Sequence, residues 1–156
     1  MNGKRTAGAV AGSLVAGLGL TAMMMAQEKK TRKASELTDL GRASAHQLGV
    51  HHVPTGKRPP DAQEQAVVQG GHLLLLALAG VAYAAATDDD AGVVPCGIAF
   101  GLAFYAVAHW LTGPLLGVKQ PEWRSDAKTI GMHAVNHVAF GLATAAGAKL
   151  ATRTAA

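Results

Sequence analysis

Charge is scarce in this chain, and its distribution excludes more than its amount. Charged residues make up 15% of the 156 residues, against about a quarter in an ordinary soluble domain. All ten acidic residues fall outside four apolar stretches, residues 6–26, 66–86, 91–113 and 129–149. With no carboxylate inside those stretches, the sequence argues against a carboxylate-bridged di-iron site and against a carboxylate-based ion antiporter. The single cysteine, Cys96, excludes an intrachain disulfide and a thiolate metal cage. No glycine loop ends in Lys-Ser/Thr, so phosphate-loop chemistry is absent. "GSLVAGLGL" lies within an apolar stretch, and Ser13 lacks the flanking pattern of a nucleophile elbow.

What is present is apolar length. Hydrophobic residues make up 49% of the chain and the mean hydropathy is +0.19. Each apolar stretch reaches the ~20 residues that an α-helix needs to cross a bilayer. The runs are continuous and rich in Ala, Gly and Leu, unlike the alternating segments of about ten residues in a barrel. The expectation is an all-α integral membrane four-helix bundle, a single domain over residues 1–156 with a linker at 27–65. Residues 6–26 also have the basic start of a signal peptide. Met24 is poorly suited to a cut after Ala26, and the basic "EKKTRK" opposes export, which favours a retained first span.

Basic residues set the orientation. Ten of the 14 Lys and Arg residues lie in 27–65 and 119–128, which predicts that both segments are cytoplasmic and both termini external. This basic character reads as topology and contact with anionic lipid, not as nucleic-acid binding. Within the linker, Leu37, Leu40 and Leu48 share a helical face with Gly41 and Ser44, while Glu36, Asp39, Arg42 and His46 lie off it. That pattern fits an amphipathic helix on the cytoplasmic interface or a polar loop. His46, His51 and His52 read as a solvated loop in preference to a surface metal site. Asp61 and Glu64 form a capping-box-like start, and Asp90 and then Ser125 or Asp126 are placed to cap the later helices. Pro95 suits a first turn, and Pro114 predicts a helix end near "TGP". Trp110 and Trp123 fall where interfacial aromatics belong.

Four histidines fall at one depth. At ~1.5 Å per residue, His72, His109, His133 and His137 lie about 6–12 Å inside the predicted cytoplasmic boundary. Gly97, Gly101, Tyr105, His109 and Gly113 form one stripe at a spacing of four. His133, His137, Gly141 and Ala145 form another, Gly8 and Gly12 pair on the first helix with Gly19 beyond, and His72, Ala79 and Tyr83 share a face. Small residues on such stripes let helices approach closely, which turns the imidazoles inward. Three readings stay open. The histidines are structural glue, bonding to Asn136, Gln69, Tyr105 or backbone carbonyls. They ligate a divalent metal or haem. Or they sense or relay protons.

"HWLTGPLLGVKQPEW", with the "GMHAVNH" that follows, "GGH" at 70–72 and Tyr83, resembles the YagU-like bacterial inner-membrane proteins. The resemblance spans about residues 66–140. It implies an inner-membrane location and a loose link to acid tolerance, with no established reaction. The functional expectation is a small multi-pass protein, leaning away from an enzyme, whose histidine cluster serves proton sensing or relay, or packing. The alternatives are a haem- or metal-binding subunit and a structural anchor for a membrane partner or a second copy of the chain.

Overall fold

A computed structural model describes residues 2–50, 53, 57–115, 117 and 119–153. Among these, the chain is helical without strands: α1 (Gly3–Thr31), α2 (Glu36–Gln47), α3 (Ala62–Ala86), α4 (Val93–Tyr105), a π-helix (Ala106–Thr112), α5 (Gly113–Leu115), a 3-10 turn (Glu122–Arg124) and α6 (Ala127–Arg153). Three helices are long and apolar enough to cross a membrane: Gly3–Thr31, Ala62–Ala86 and Val93–Leu115. α6 has comparable length. It carries Lys128, Asn136, Lys149 and two histidines, and is not one of those three.

The packing is that of helices in lipid. Large apolar side chains face outward, including Val15 (70% exposed), Val67 (71%) and Leu74 (63%). The buried stripe of α1 is small or polar: Arg5, Ala9, Ser13, Gly17 and Thr21. In lipid, helices associate through close backbone approach and polar contacts, so this inversion is expected. A Cβ on Gly8 or Gly12 would strike the Gly147 or Ala143 carbonyl, and one on Gly97, Gly101 or Gly141 would strike backbone across the α4–α6 seam. α6 therefore runs antiparallel to both α1 and α4. Gly80 meets Ala9, Val10 and Ser13, which joins α3 to α1. Gly19 does not join the stripe expected for it, because nothing lies within 4 Å of its would-be Cβ. Tyr83, Phe100, Phe104 and Phe140 fill the centre, with Tyr83 edge-on to Phe100 at 5.2 Å.

The two ends of the bundle differ. At one end, buried Arg5 donates to the Ala84 carbonyl at 2.9 Å and to both oxygens of Thr87, and Lys149 reaches the Asp89 carbonyl. A cation there complements the C-terminal end of the α3 dipole. At the other end, α1 stops at Arg32 in a left-handed conformation (φ 57°). The Glu28 carboxylate accepts from the Ser35 N–H and the Thr38 hydroxyl, both at 2.7 Å, and so sets the elbow into α2.

Several boundaries depart from expectation. α2 forms, but Leu48 caps its end and is 83% exposed. Arg42, placed off the apolar face by the sequence, is buried and bonds Glu64 at 2.5 Å, anchoring α2 to α3. Asp61 caps α3 by accepting from the Glu64 N–H at 2.9 Å, and Asp126 likewise accepts from Thr129. Asp90 caps nothing: Gly92 is the N-cap of α4 and offers no side chain. The helix runs to Leu115, just beyond Pro114. It widens into the π-helix, where the Gly113 N–H reaches back five residues to the Ala108 carbonyl, a spacing that accommodates the proline ring and its missing donor. His51 and His52 lie outside the described residues, and His46 Nε2 lies 3.0 Å from the Val53 carbonyl oxygen.

Candidate functional site

The polar site forms where α2 lies against the bundle. Past α5, Gly117 takes a left-handed turn (φ 67°) and reverses the chain. Lys119 and the 3-10 turn at Glu122 then point back toward α4 and α6. Glu122 is fully buried at 0% exposure. Its carboxylate accepts from Tyr105 Oη at 3.1 Å, Lys119 Nζ at 2.8 Å and His133 Nδ1 at 2.6 Å, and His109 Nδ1 lies 3.5 Å away. Glu36, the first residue of α2, faces the same group: Lys119 bonds one of its oxygens, and His133 Nε2 lies 3.1 Å from the other.

Hydrogen bonding fixes the protonation pattern. Hydrogen bonds from His133 and Lys119 hold the Glu36 carboxyl at about 2, against the cost of burial. Burial alone would raise Glu122, but hydrogen bonds from Lys119 and His133 outweigh it and hold that carboxyl at about 2 as well. Burial pushes the Lys119 ammonium down, and its bonds to Glu122 and Glu36 more than compensate, leaving it raised. Both partners of His133 are therefore acceptors, so both of its nitrogens must donate and the ring is an imidazolium. Lys119 has three N–H donors and directs them to Glu36, Glu122 and His109 Nδ1, the last at 2.7 Å. His109 accepts there and is neutral. Two anions and two cations thus close a quartet with no net charge, buried at Glu122 and His133 and half-exposed at Glu36.

The candidate residues separate into groups. His109, His133 and His137 come together, with ring centroids 4.6 Å apart for His109–His133 and 4.9 Å for His109–His137. His137 Nδ1 donates to the His133 carbonyl at 2.8 Å. Tyr105 joins them through Glu122 and by ring contact with His109 at 5.2 Å. His72 stands across a cavity on α3, its buried Nδ1 without a hydrogen-bond partner. Asn136 lines the same cavity. Gln69 is not part of the cluster; it accepts from Thr21 at 2.9 Å.

Rings in mutual contact leave no slot for a haem between His109, His133 and His137. The four-histidine metal set does not converge either. The group that could hold a cation is Glu36, His109 and His133, whose ligand atoms lie within 4.8 Å of one another. The Lys119 ammonium bonds Glu36 and His109 and takes the cation's place beside them.

Glu36, Lys119 and Glu122 are what sequence reasoning missed. Counting depth along the helices placed no carboxylate in the histidine layer, and the structure brings in two from segments outside the apolar stretches. The available signal was Glu36 off the apolar face of α2 and the "KQPEW" turn. No protein-family model matches the chain, and no curated protein or solved structure matches it.

Proposed function

We propose that this chain is a four-span membrane protein in which the Glu36–His133–Glu122–Lys119 quartet acts as a proton-responsive latch holding α2 against the bundle. The observation that carries the reading is His133, a single imidazole whose two nitrogens bridge the half-exposed Glu36 carboxylate on α2 and the fully buried Glu122 carboxylate in the α5–α6 turn. Loss of its proton removes one of the two bonds and unbalances the quartet, so the latch loosens as pH rises, while protonation of Glu36 and Glu122 sets its limit in acid. Facing this imidazolium are Glu36 from α2, Lys119 and Glu122 from the turn, Tyr105 and His109 from the α4 segment, His137 from α6, and His72 across the cavity. Histidine is the side chain whose unperturbed titration falls nearest physiological pH.

The reading includes a bacterial inner-membrane location with the α2 end cytoplasmic and both termini external, in keeping with the resemblance to YagU-like proteins. The segments meeting at the α2 end carry most of the Lys and Arg residues, and α6 runs the height of the bundle from Glu122 to Asp89. The test is hydrogen exchange on nanodisc-reconstituted protein, expressed as protection factors to remove the intrinsic rate change. Protection over α2 is expected to fall as pH rises above about 6.5, the ordinary imidazole value, and to be low and flat in His133→Asn. Protection that stays constant in the wild type sinks the latch.

A further inference from the structure

Beneath α2 lies a cavity of about 200 Å³ to which α1, α2, α3, the α4 segment and α6 all contribute. Its walls are apolar, formed by Leu20, Leu37, Leu40, Leu76, Phe104 and Phe140. The charged quartet borders it but offers it little: the two Glu36 oxygens are taken by Lys119 and His133, and the Lys119 donors are all used. The polar groups left to a ligand are neutral. They are the buried, unpartnered His72 Nδ1, the Asn136 amide, and His137 Nε2, whose sister nitrogen is already committed. An apolar cavity with a few convergent polar groups is the usual form of a small-molecule site.

These features restrict the occupant. A charged ligand finds no free countercharge among the described residues. The volume falls below the ~300–1,000 Å³ of ordinary ligand pockets, so a macrocycle or sterol is too large and a single ring is the right scale. Phe104, backed by buried Phe140 with centroids 5.3 Å apart, presents aromatic surface to a flat ring. Donors on two different helices, His72 on α3 and the Asn136 amide on α6, can serve oxygens at separate positions on that ring, while His137 Nε2, its sister proton committed, is left to accept from a ring hydroxyl. Leu75 both lines the cavity and is 50% exposed on the outer apolar surface of α3, which gives an attached apolar tail a route into lipid.

We infer that the cavity binds the head ring of a lipid-soluble quinone. The ring oxygens accept hydrogen bonds from His72 and from the Asn136 amide. The inference concerns binding alone and does not depend on whether α2 responds to protons.

The experiment is photolabelling of the full-length protein in nanodiscs with an azido-substituted short-chain benzoquinone, with decylbenzoquinone as competitor. Saturable labelling of peptides containing His72 and His137, displaced by the competitor, is expected. Ala108→Phe fills the cavity and should abolish labelling. His72→Leu keeps the volume while removing the buried nitrogen, so it should fold and weaken labelling about tenfold, the scale of one hydrogen bond; if Ala108→Phe fails to insert, this variant decides. Labelling that rises linearly with quinone, that is unchanged in His72→Leu, or that decanol displaces as well as the quinone does overturns the inference.

Discussion

His133 Nδ1 lies 2.6 Å from Glu122 Oε1, with the carboxylate fully buried and the imidazole nearly so. The pair ties α6 to the turn that precedes it, and the second nitrogen of His133 extends the tie to α2. Breaking a buried pair by removing one partner costs more than the pair contributes, because the other charge is left uncompensated.

Glu122→Gln is therefore expected to destabilise the protein by about 3 kcal/mol, read from unfolding in mixed detergent micelles. The His133→Gln variant should cost a similar amount, and the double variant clearly less than the two together. Additive losses would mean that the two residues act independently.

The carboxylates give the acid limit of stability. Glu36 and Glu122 sit at about 2, below the ordinary 4.5. A depressed carboxyl contributes stability that is complete above its unfolded value and is lost as pH falls toward its folded value. The unfolding midpoint should therefore hold steady down to the 4.5 of the free carboxyl and drop between there and about 2. The drop should be shallower in Glu36→Gln. A midpoint already falling well above that window would place the acid-sensitive group elsewhere.

Close backbone approach makes the glycine seams intolerant. Gly12→Leu and Gly141→Leu should each cost at least ~1–3 kcal/mol through overpacking, since a Cβ there meets backbone of the neighbouring helix. Gly19→Ala and Gly70→Ala, with open space at both sites, should be neutral or stabilising by up to ~1 kcal/mol. Matching effects at the two kinds of site would contradict the packing.

Metal content separates the ammonium-filled site from a ligating one. Elemental mass spectrometry of gently purified protein is expected to find no stoichiometric zinc, iron or copper, because Lys119 bonds where a cation would sit. One metal per chain, lost in His133→Ala, would replace the latch with a metal centre.

Much of the architecture was legible in the residues. The helix-long apolar runs and the spacing of four at Gly97, Gly101, Tyr105 and His109 placed the α4 face correctly, and the companion stripe from His133 placed α6. Depth counting brought His109, His133 and His137 to one layer because rise per residue is fixed. It failed for Glu36 and Glu122 because loops have no fixed rise: Gly117 and Pro121 fold the turn inward, and nothing periodic announces it. Pro114 marked the helix end, which falls at Leu115 just beyond it, but not the π-helix before it. A proline forbids one backbone donor, and the sequence does not say whether the helix stops or widens. On α2, Leu37 and Leu40 do turn to the apolar cavity, yet the polar Glu36 and Arg42 form its attachments, Arg42 through a buried ion pair with Glu64 and Glu36 through Lys119 and His133.

The seam between Gly8 on α1 and Gly147 on α6 joins the first and last described helices. Chains emerge from synthesis N-terminal end first, so α1 enters the bilayer long before its principal neighbour exists. Until α6 arrives, the small-residue face of α1, with buried Arg5 and Ser13 upon it, has only α3 to cover it. Assembly of this bundle is thus a late, single closure across nearly the whole chain, the kind of non-local contact that slows folding. A premature stop before α6 would leave a product with both glycine seams open.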